Sequence, residues 1–185
     1  MKHVILAGAS RCGKTTISLK LKNLGLVHYK MDSIKRGIDK NFWDGYKDDW
    51  VSVSPHMAKL INVMLSDYQT DIVKDKEYYL IDTCHLYPSD IVKYNLKDTV
   101  IVFVGYSEVD PYKKLKQIRK YDKNVWSNHV SDKEMIYGIN LGIEYSKIVK
   151  EECKKNNIKY FDISKNFNKV LKEIYEYIIN ELGSD

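Results

Sequence analysis

The chain has 185 residues, 44% of them hydrophobic, with a mean hydropathy of -0.44. That is one domain's worth, residues 1–185, large enough for a full core without staples. The formal charge of +5, from 30 Lys and Arg against 25 Asp and Glu, suits a handler of anionic small molecules and is too weak and scattered to indicate nucleic acid.

In chain order, His3-Val4-Ile5-Leu6-Ala7 is a short apolar run of the kind that makes a buried parallel strand. Gly8-Ala9-Ser10-Arg11-Cys12-Gly13-Lys14-Thr15 follows and fits the phosphate-loop pattern GxxxxGK[ST]. Lys14 to Leu24 then carries Ile17, Leu21 and Leu24 at helical spacing, with Gly25 as a stop. Strand, glycine loop and helix form the context in which the motif carries meaning. Gly8 and Gly13 let successive backbone N–H groups converge on phosphate oxygens, and the helix dipole favours the same anion. The expected nucleotide-binding set is Gly8, Ala9, Ser10, Arg11, Cys12, Gly13, Lys14, Thr15 and Thr16. Lys14 can reach the β- and γ-phosphates, Thr15 can ligate Mg²⁺, and Thr16 can donate to the α-phosphate. Arg11 faces either the phosphates or solvent. Cys12 sits where a helix N-terminus favours thiolate, and is expected to be a passenger.

Leu26 to Tyr29 reads as a second strand leading into Asp32. The polar stretch Ser33 to Trp50, studded with Trp43, Tyr46 and Trp50, reads as a short helix plus a loop over the site's edge. Ser54-Pro55 opens a helix, with Ser54 as N-cap, whose stripe is Met57, Leu60, Ile61, Met64, Leu65 and Tyr68. Tyr78 to Asp82 and Thr99 to Val104 are strands, and Asp110-Pro111 caps a helix ending at Arg119-Lys120-Tyr121. After a polar stretch with Trp126 and His129, Ser131-x-x-Glu134 is a capping box that opens helical sequence to about Cys153. Gly138 and Gly142 argue against one straight helix there. Ile158 to Asp162 is the last strand. The final helix carries Phe167, Val170, Leu171, Ile174, Ile178 and Leu182 and ends at Gly183.

Five strands alternating with helices predict an α/β fold, a parallel sheet covered on both faces in three layers. Ligands of such sheets sit at the carboxyl ends of the strands, so Asp32, Asp82 and the phosphate loop are expected to cluster there. Asp82 ends an apolar strand in the Walker-B form, holding Mg²⁺ through its water shell together with Thr15; the alternative is a strand-end turn residue. His85, three residues on, either touches substrate or serves as hydrogen-bonded structure. The aromatics Trp43, Tyr46, Trp50 and Trp126 fit loop packing better than an acceptor pocket.

Cys12, Cys84 and Cys153 are far apart and odd in number, with no CxxC spacing, so neither a disulfide framework nor a zinc site is indicated. Reduced thiols in a cytoplasmic protein are expected. Only Met1-Lys2 precedes the first strand, which leaves no room for a signal peptide, and the longest aliphatic run, Val100 to Val104, is far short of a membrane span.

The order of parts resembles the small P-loop kinases: nucleoside monophosphate kinases, shikimate kinase and chloramphenicol phosphotransferase. The resemblance covers nearly the whole chain in architecture. It is specific at residues 8–15 and suggestive at Met31-Asp32-Ser33, at Leu80-Ile81-Asp82 and along helix 111–121. It implies a P-loop NTPase fold with sheet order 2-3-1-4-5, an acceptor-side segment over 33–54 and a helical lid over 105–131. It also implies ATP with Mg²⁺, and adenine packed near Ser164 to Asn166, although no base-reading motif separates ATP from GTP.

By the same resemblance Asp32 accepts the acceptor's hydroxyl proton or orients that hydroxyl; its alternative is capping the next helix. Arg119, with Lys120 and Lys123 nearby, falls where the family places lid arginines that neutralise the γ-phosphoryl group. The bland alternative is a solvated basic face, because Lys113, Lys114, Lys116 and Lys120 share the helix. Catalysis is thus assigned to Asp32, Lys14 and Arg119, and acceptor binding to Lys35, Arg36 and His85. Monophosphate kinases place arginine where Lys35 stands, with Arg36 one position late, and shikimate kinase has a second acid where Ile34 stands. The expected activity is ATP-dependent phosphoryl transfer to a small molecule, at a hydroxyl. The alternatives are a nucleoside monophosphate kinase and a non-catalytic ATP-binding regulatory module. A regulatory GTPase is excluded, since Asp82 is followed by Thr83-Cys84-His85 and NKxD is missing. No membrane or nucleic-acid partner is expected.

Overall fold

A computed structural model of the chain describes residues 1–37, 49–66, 77–122 and 129–183. Trp43, Tyr46, Tyr68, Lys123 and Trp126 lie outside the described residues, as does the side chain of Arg36. The strands are β1 (His3–Gly8), β2 (Val27–Lys30), β3 (Tyr79–Thr83), β4 (Thr99–Gly105) and β5 (Lys159–Asp162). The helices are α1 (Lys14–Leu21), α2 (Met31–Gly37), α3 (Trp50–Leu65), α4 (Pro88–Ile91), α5 (Pro111–Tyr121), α6 (Asp132–Lys155) and α7 (Phe167–Gly183).

All five strands are parallel and ordered β2-β3-β1-β4-β5. The apolar runs explain this. Every residue of β1 is buried, and Val4, Ile5 and Leu6 are wholly so. Each such side chain stabilises the fold by roughly 1.5–3 kcal/mol relative to exposure. Strands buried on both faces need helices above and below. Helices α1 and α7 pack on each other and on the sheet; α6 packs on β4 and β5, with α4 and α5 against it. Among the described residues no helix is long and apolar enough to cross a membrane.

Two boundaries differ from expectation. Helix α3 begins at Trp50, capped by Asp49, whose carboxylate accepts from the Ser52 amide at 2.7 Å. Pro55 therefore lies inside the helix, and Ser54 is no cap: its hydroxyl donates to Asp90 at 2.6 Å and accepts from the Tyr87 amide at 2.7 Å. Helix α6 runs unbroken for 24 residues from its Ser131–Glu134 capping box. Gly142 does not break it, because it is there for space. A Cβ at that position would lie 2.1 Å from the Tyr106 hydroxyl oxygen.

Trp50, on the acceptor side, packs against Tyr145 with ring centroids 4.6 Å apart. For Trp50 this is packing; the other three aromatics lie outside the described residues.

Candidate active site

The phosphate loop leaves the buried β1 and enters α1 through two glycines in the left-handed half of backbone space, Gly8 at φ 137° and Gly13 at φ 92°. Gly8 also lies against β4, where a Cβ would come within 1.9 Å of the Val104 carbonyl oxygen. The Ala9 amide donates to that carbonyl at 3.0 Å, pinning the loop to the sheet. Lys14 is buried, and its ammonium donates back to the carbonyls of Gly8 at 3.0 Å and Ala9 at 2.9 Å. Ser10, Thr15 and Thr16 face outward, while Cys12 is buried. Burial pushes the Cys12 thiol up, so the expected bias toward thiolate does not hold. The helix end is outweighed by loss of water.

Asp82 ends β3 between its two neighbours, in register with Leu6 of β1 and Lys30 of β2. Thr15 and Ser18 direct their hydroxyls at its Oδ2 over long contacts of 3.4 and 3.5 Å. His28 Nε2 lies 3.9 Å from the same oxygen and is buried with no hydrogen-bond partner. Burial raises the Asp82 carboxyl above its ordinary value against the pull of Lys14. A carboxylate held in a dry cleft by weak contacts, with a hydroxyl beside it, is an all-oxygen donor set that suits Mg²⁺. Thr15 and Asp82 thus lie side by side.

Asp32, expected at a strand end, lies in the first turn of α2, two residues past the end of β2 at Lys30. Its Oδ1 accepts from the Cys84 amide at 3.3 Å and meets His85 Nδ1 at 3.2 Å. These bonds tie it to the loop after β3, fifty residues on, which is a tertiary role and not a helix cap. Burial alone would raise its carboxyl; the His85 hydrogen bond, the charge of Lys14 and the Cys84 amide outweigh that and hold it well below the usual carboxylate range. Lys14 in turn loses by burial but is held above its ordinary value by the groups around it. The neighbouring thiols stay protonated, Cys84 pushed up to about 12 by burial, so the negative charge it meets is that of Asp82 and Asp32. Lys35 is half-buried on the same helix as Asp32.

Helix α5 brings a different cation to the loop from the one expected. Arg119 is turned away: its guanidinium binds Asp132 at 2.9 and 2.7 Å and the Val130 carbonyl at 2.6 Å, stapling α5 to the start of α6. As placed, this guanidinium joins two helices, and the structure does not bring it together with Lys14 and Asp32. Lys114, assigned above to a solvated face, is buried and donates to the Arg11 carbonyl at 3.0 Å, its ammonium 4.7 Å above the Tyr106 ring. Arg11 itself, at φ 58°, pairs with Asp122 at 3.0 Å and so faces the end of α5. At the end of β5, Asp162 joins two loops, accepting from the Ser107 amide at 3.1 Å and the Ser164 amide at 2.9 Å, and from both serine hydroxyls.

Solved structures share this fold over nearly their whole length. Shikimate kinase from Acinetobacter baumannii, in complex with shikimate, is 14% identical, with 100% of this chain and 96% of that one covered at a TM-score of 0.59. The fold is that of the small P-loop kinases. A gluconokinase from Sinorhizobium meliloti 1021 follows at 9% identity, 97% of each chain and a TM-score of 0.52. Shikimate kinase from Bacteroides thetaiotaomicron aligns at 14% identity, 96% and 98% coverage and 0.50. No protein-family model and no curated protein matches the chain.

Within this kinase fold, sequence reasoning missed Lys114, Ser18 and His28. Lys114 was hidden among equivalent lysines. Ser18 was detectable, standing one helical turn after Lys14 on the face turned to β3.

Proposed function

We propose that the chain transfers the γ-phosphoryl group of ATP to a hydroxyl of a small molecule. The observation that carries this is the Asp32 carboxylate, kept ionised by His85, Cys84 and Lys14 at the same sheet edge as the phosphate loop and Asp82. In this reading the loop amides and the first turn of α1 hold the triphosphate, and Lys14 exchanges the Gly8 and Ala9 carbonyls for phosphate oxygens. Thr15 and Asp82 would hold Mg²⁺, which when bound neutralises the β- and γ-phosphates. Asp32 accepts a hydrogen bond from the acceptor hydroxyl and lines it up for displacement. Because the transition state is loose, positioning matters more than proton removal. His85 fixes the carboxylate's direction. Arg119 takes no step while it holds Asp132.

A hydroxyl acceptor fits better than a nucleotide, since Lys35 stands where monophosphate kinases place a bidentate arginine. The test is a screen of sugars, shikimate-like acids, nucleosides, nucleotides and aminoglycoside- or phenicol-type alcohols for acceptor-dependent ADP release, run beside Asp32→Asn. The variant is expected to bind Mg·ATP normally and lose transfer. Turnover that survives with a slight loss would remove Asp32 from this role, and background ADP release with every acceptor would favour a non-catalytic ATP-binding module.

A further inference from the structure

Three potential metal ligands from distant parts of the chain converge beside the phosphate loop. Cys84 Sγ lies 3.3 Å from Asp32 Oδ1 and 3.3 Å from His85 Nδ1, and His85 Nδ1 lies 3.2 Å from Asp32 Oδ1. All three atoms therefore form a nearly equilateral triangle. The bend after β3 makes this possible: in a continuing strand Cys84 and His85 would point to opposite faces, and here both point at one spot.

Such a triangle is what three corners of a tetrahedral site require. Bonds of about 2.0–2.1 Å to nitrogen or oxygen and 2.3 Å to sulfur, at tetrahedral angles, put ligand atoms ~3.3–3.6 Å apart. The observed separations fall just under that, so the distances between ligand atoms need to open by only ~0.3 Å, while the His85 ring has to turn to aim Nδ1 at the ion. The arrangement does not suit a nucleophilic relay, in which a histidine uses one ring nitrogen for the thiol and the other for the acid. Here Nδ1 is the nearer nitrogen to both, 3.3 Å from the thiol and 3.2 Å from the acid, with Nε2 3.9 Å from the same sulfur.

We infer that Asp32, Cys84 and His85 form a site for Zn²⁺ or a similar borderline transition metal, separate from the Mg²⁺ set of Thr15 and Asp82. The donor set selects the ion. A thiolate and an imidazole suit zinc and are poor ligands for Mg²⁺, which takes oxygen. Three protein ligands leave one tetrahedral position for water or a substrate oxygen, and the half-exposed Asp32 puts that position toward the cleft. On binding, the Cys84 thiol gives its proton to solvent and a metal–sulfur bond replaces the S–H. Spacing along the chain could not reveal this site, because its carboxylate stands 52 residues before its thiol.

Metal binding stands apart from the phosphotransferase reading; only its consequence rests on that reading. An ion held by Asp32 takes the carboxylate that the acceptor hydroxyl needs, so zinc is expected to inhibit transfer in competition with the acceptor.

The experiment titrates the reduced, chelator-treated full chain with Zn²⁺ against a chromophoric competitor, and with Co²⁺ followed by absorption. One equivalent is expected, with a near-ultraviolet thiolate-to-cobalt band and the visible bands of tetrahedral cobalt. Cys84→Ser and His85→Gln should each weaken zinc by more than the roughly 10–100-fold that loss of an outer-shell partner costs, while Cys12→Ser and Cys153→Ser keep the cobalt band. Far-ultraviolet circular dichroism checks folding; should Cys84→Ser be unfolded, His85→Gln decides. A band that vanishes with Cys12 or Cys153 overturns the site. So does a folded Cys84→Ser that holds zinc as the parent does, or a parent that holds none. These readouts need no acceptor, so a failed activity screen leaves them intact.

Discussion

Lys114 separates the structural account of α5 from the one its sequence suggests. Its buried ammonium holds the Arg11 carbonyl at 3.0 Å, at a residue whose φ of 58° is costly for any side chain but glycine. A hydrogen bond from a charged group contributes about 1.5–3 kcal/mol, and a non-glycine residue in the left-handed region costs on the order of 1–3 kcal/mol. Lys114→Met keeps the bulk and removes the charge. The loop then has to be reordered when nucleotide binds, so the Kd for Mg·ATP is expected to rise by roughly 10–100-fold, the equivalent of ~1.4–2.8 kcal/mol. Fold stability should change little, because the lost hydrogen bond is offset by removing an ammonium that burial pushes below the ordinary lysine value. Titration with a fluorescent ATP analogue and Mg²⁺ measures the first effect, and a thermal melt the second. Lys113→Met and Lys116→Met, exposed on the same helix, are the controls. Should Lys114→Met bind nucleotide as tightly as those two, the lysine has no hold on the loop and the reasoning fails.

Two further outcomes follow from the same contacts. Ser54→Ala strips both buried bonds at 2.6 and 2.7 Å, leaving the Tyr87 amide and Asp90 short of a partner. A loss of about 2–4 kcal/mol in chemical denaturation is expected, or roughly 5–15 °C in Tm, with nucleotide binding unchanged; a loss below about 1 kcal/mol would show that water replaces the hydroxyl. Asp32 is a carboxyl depressed in the folded state, so its contribution to stability is present above the unfolded-state value and is lost as pH falls through the lower native one. The stability advantage of the parent over Asp32→Asn should therefore stay level from neutral pH to about 4–5 and shrink below it. An advantage that grows on acidification would contradict the assignment.

Features set by neighbours in sequence were legible without coordinates. The caps at Asp110 and at Ser131 with Glu134 are of this kind, since their partners lie within three residues. So are the five strands and the glycine loop, where apolar runs and backbone freedom act locally. Ser54 was misread as a cap because its partner Asp90 is 36 residues away. Arg119 looked like a phosphate ligand because its tie to Asp132 spans a stretch with no readable pattern.

What the amino-acid order alone determined is the frame: alternating apolar strands and amphipathic helices leave a parallel sheet as the way to bury both faces, with the glycine loop motif where β1 turns into α1. Which charges meet at that edge was decided by folding. Lys114 differs from Lys113 and Lys116 only in the face it turns to the loop, and Asp32 gains its low, ionised state only when β2 and β3 lie side by side. Electrostatic and coordination energies depend on distances of a few ångströms between residues far apart in the chain, and only packing sets those distances.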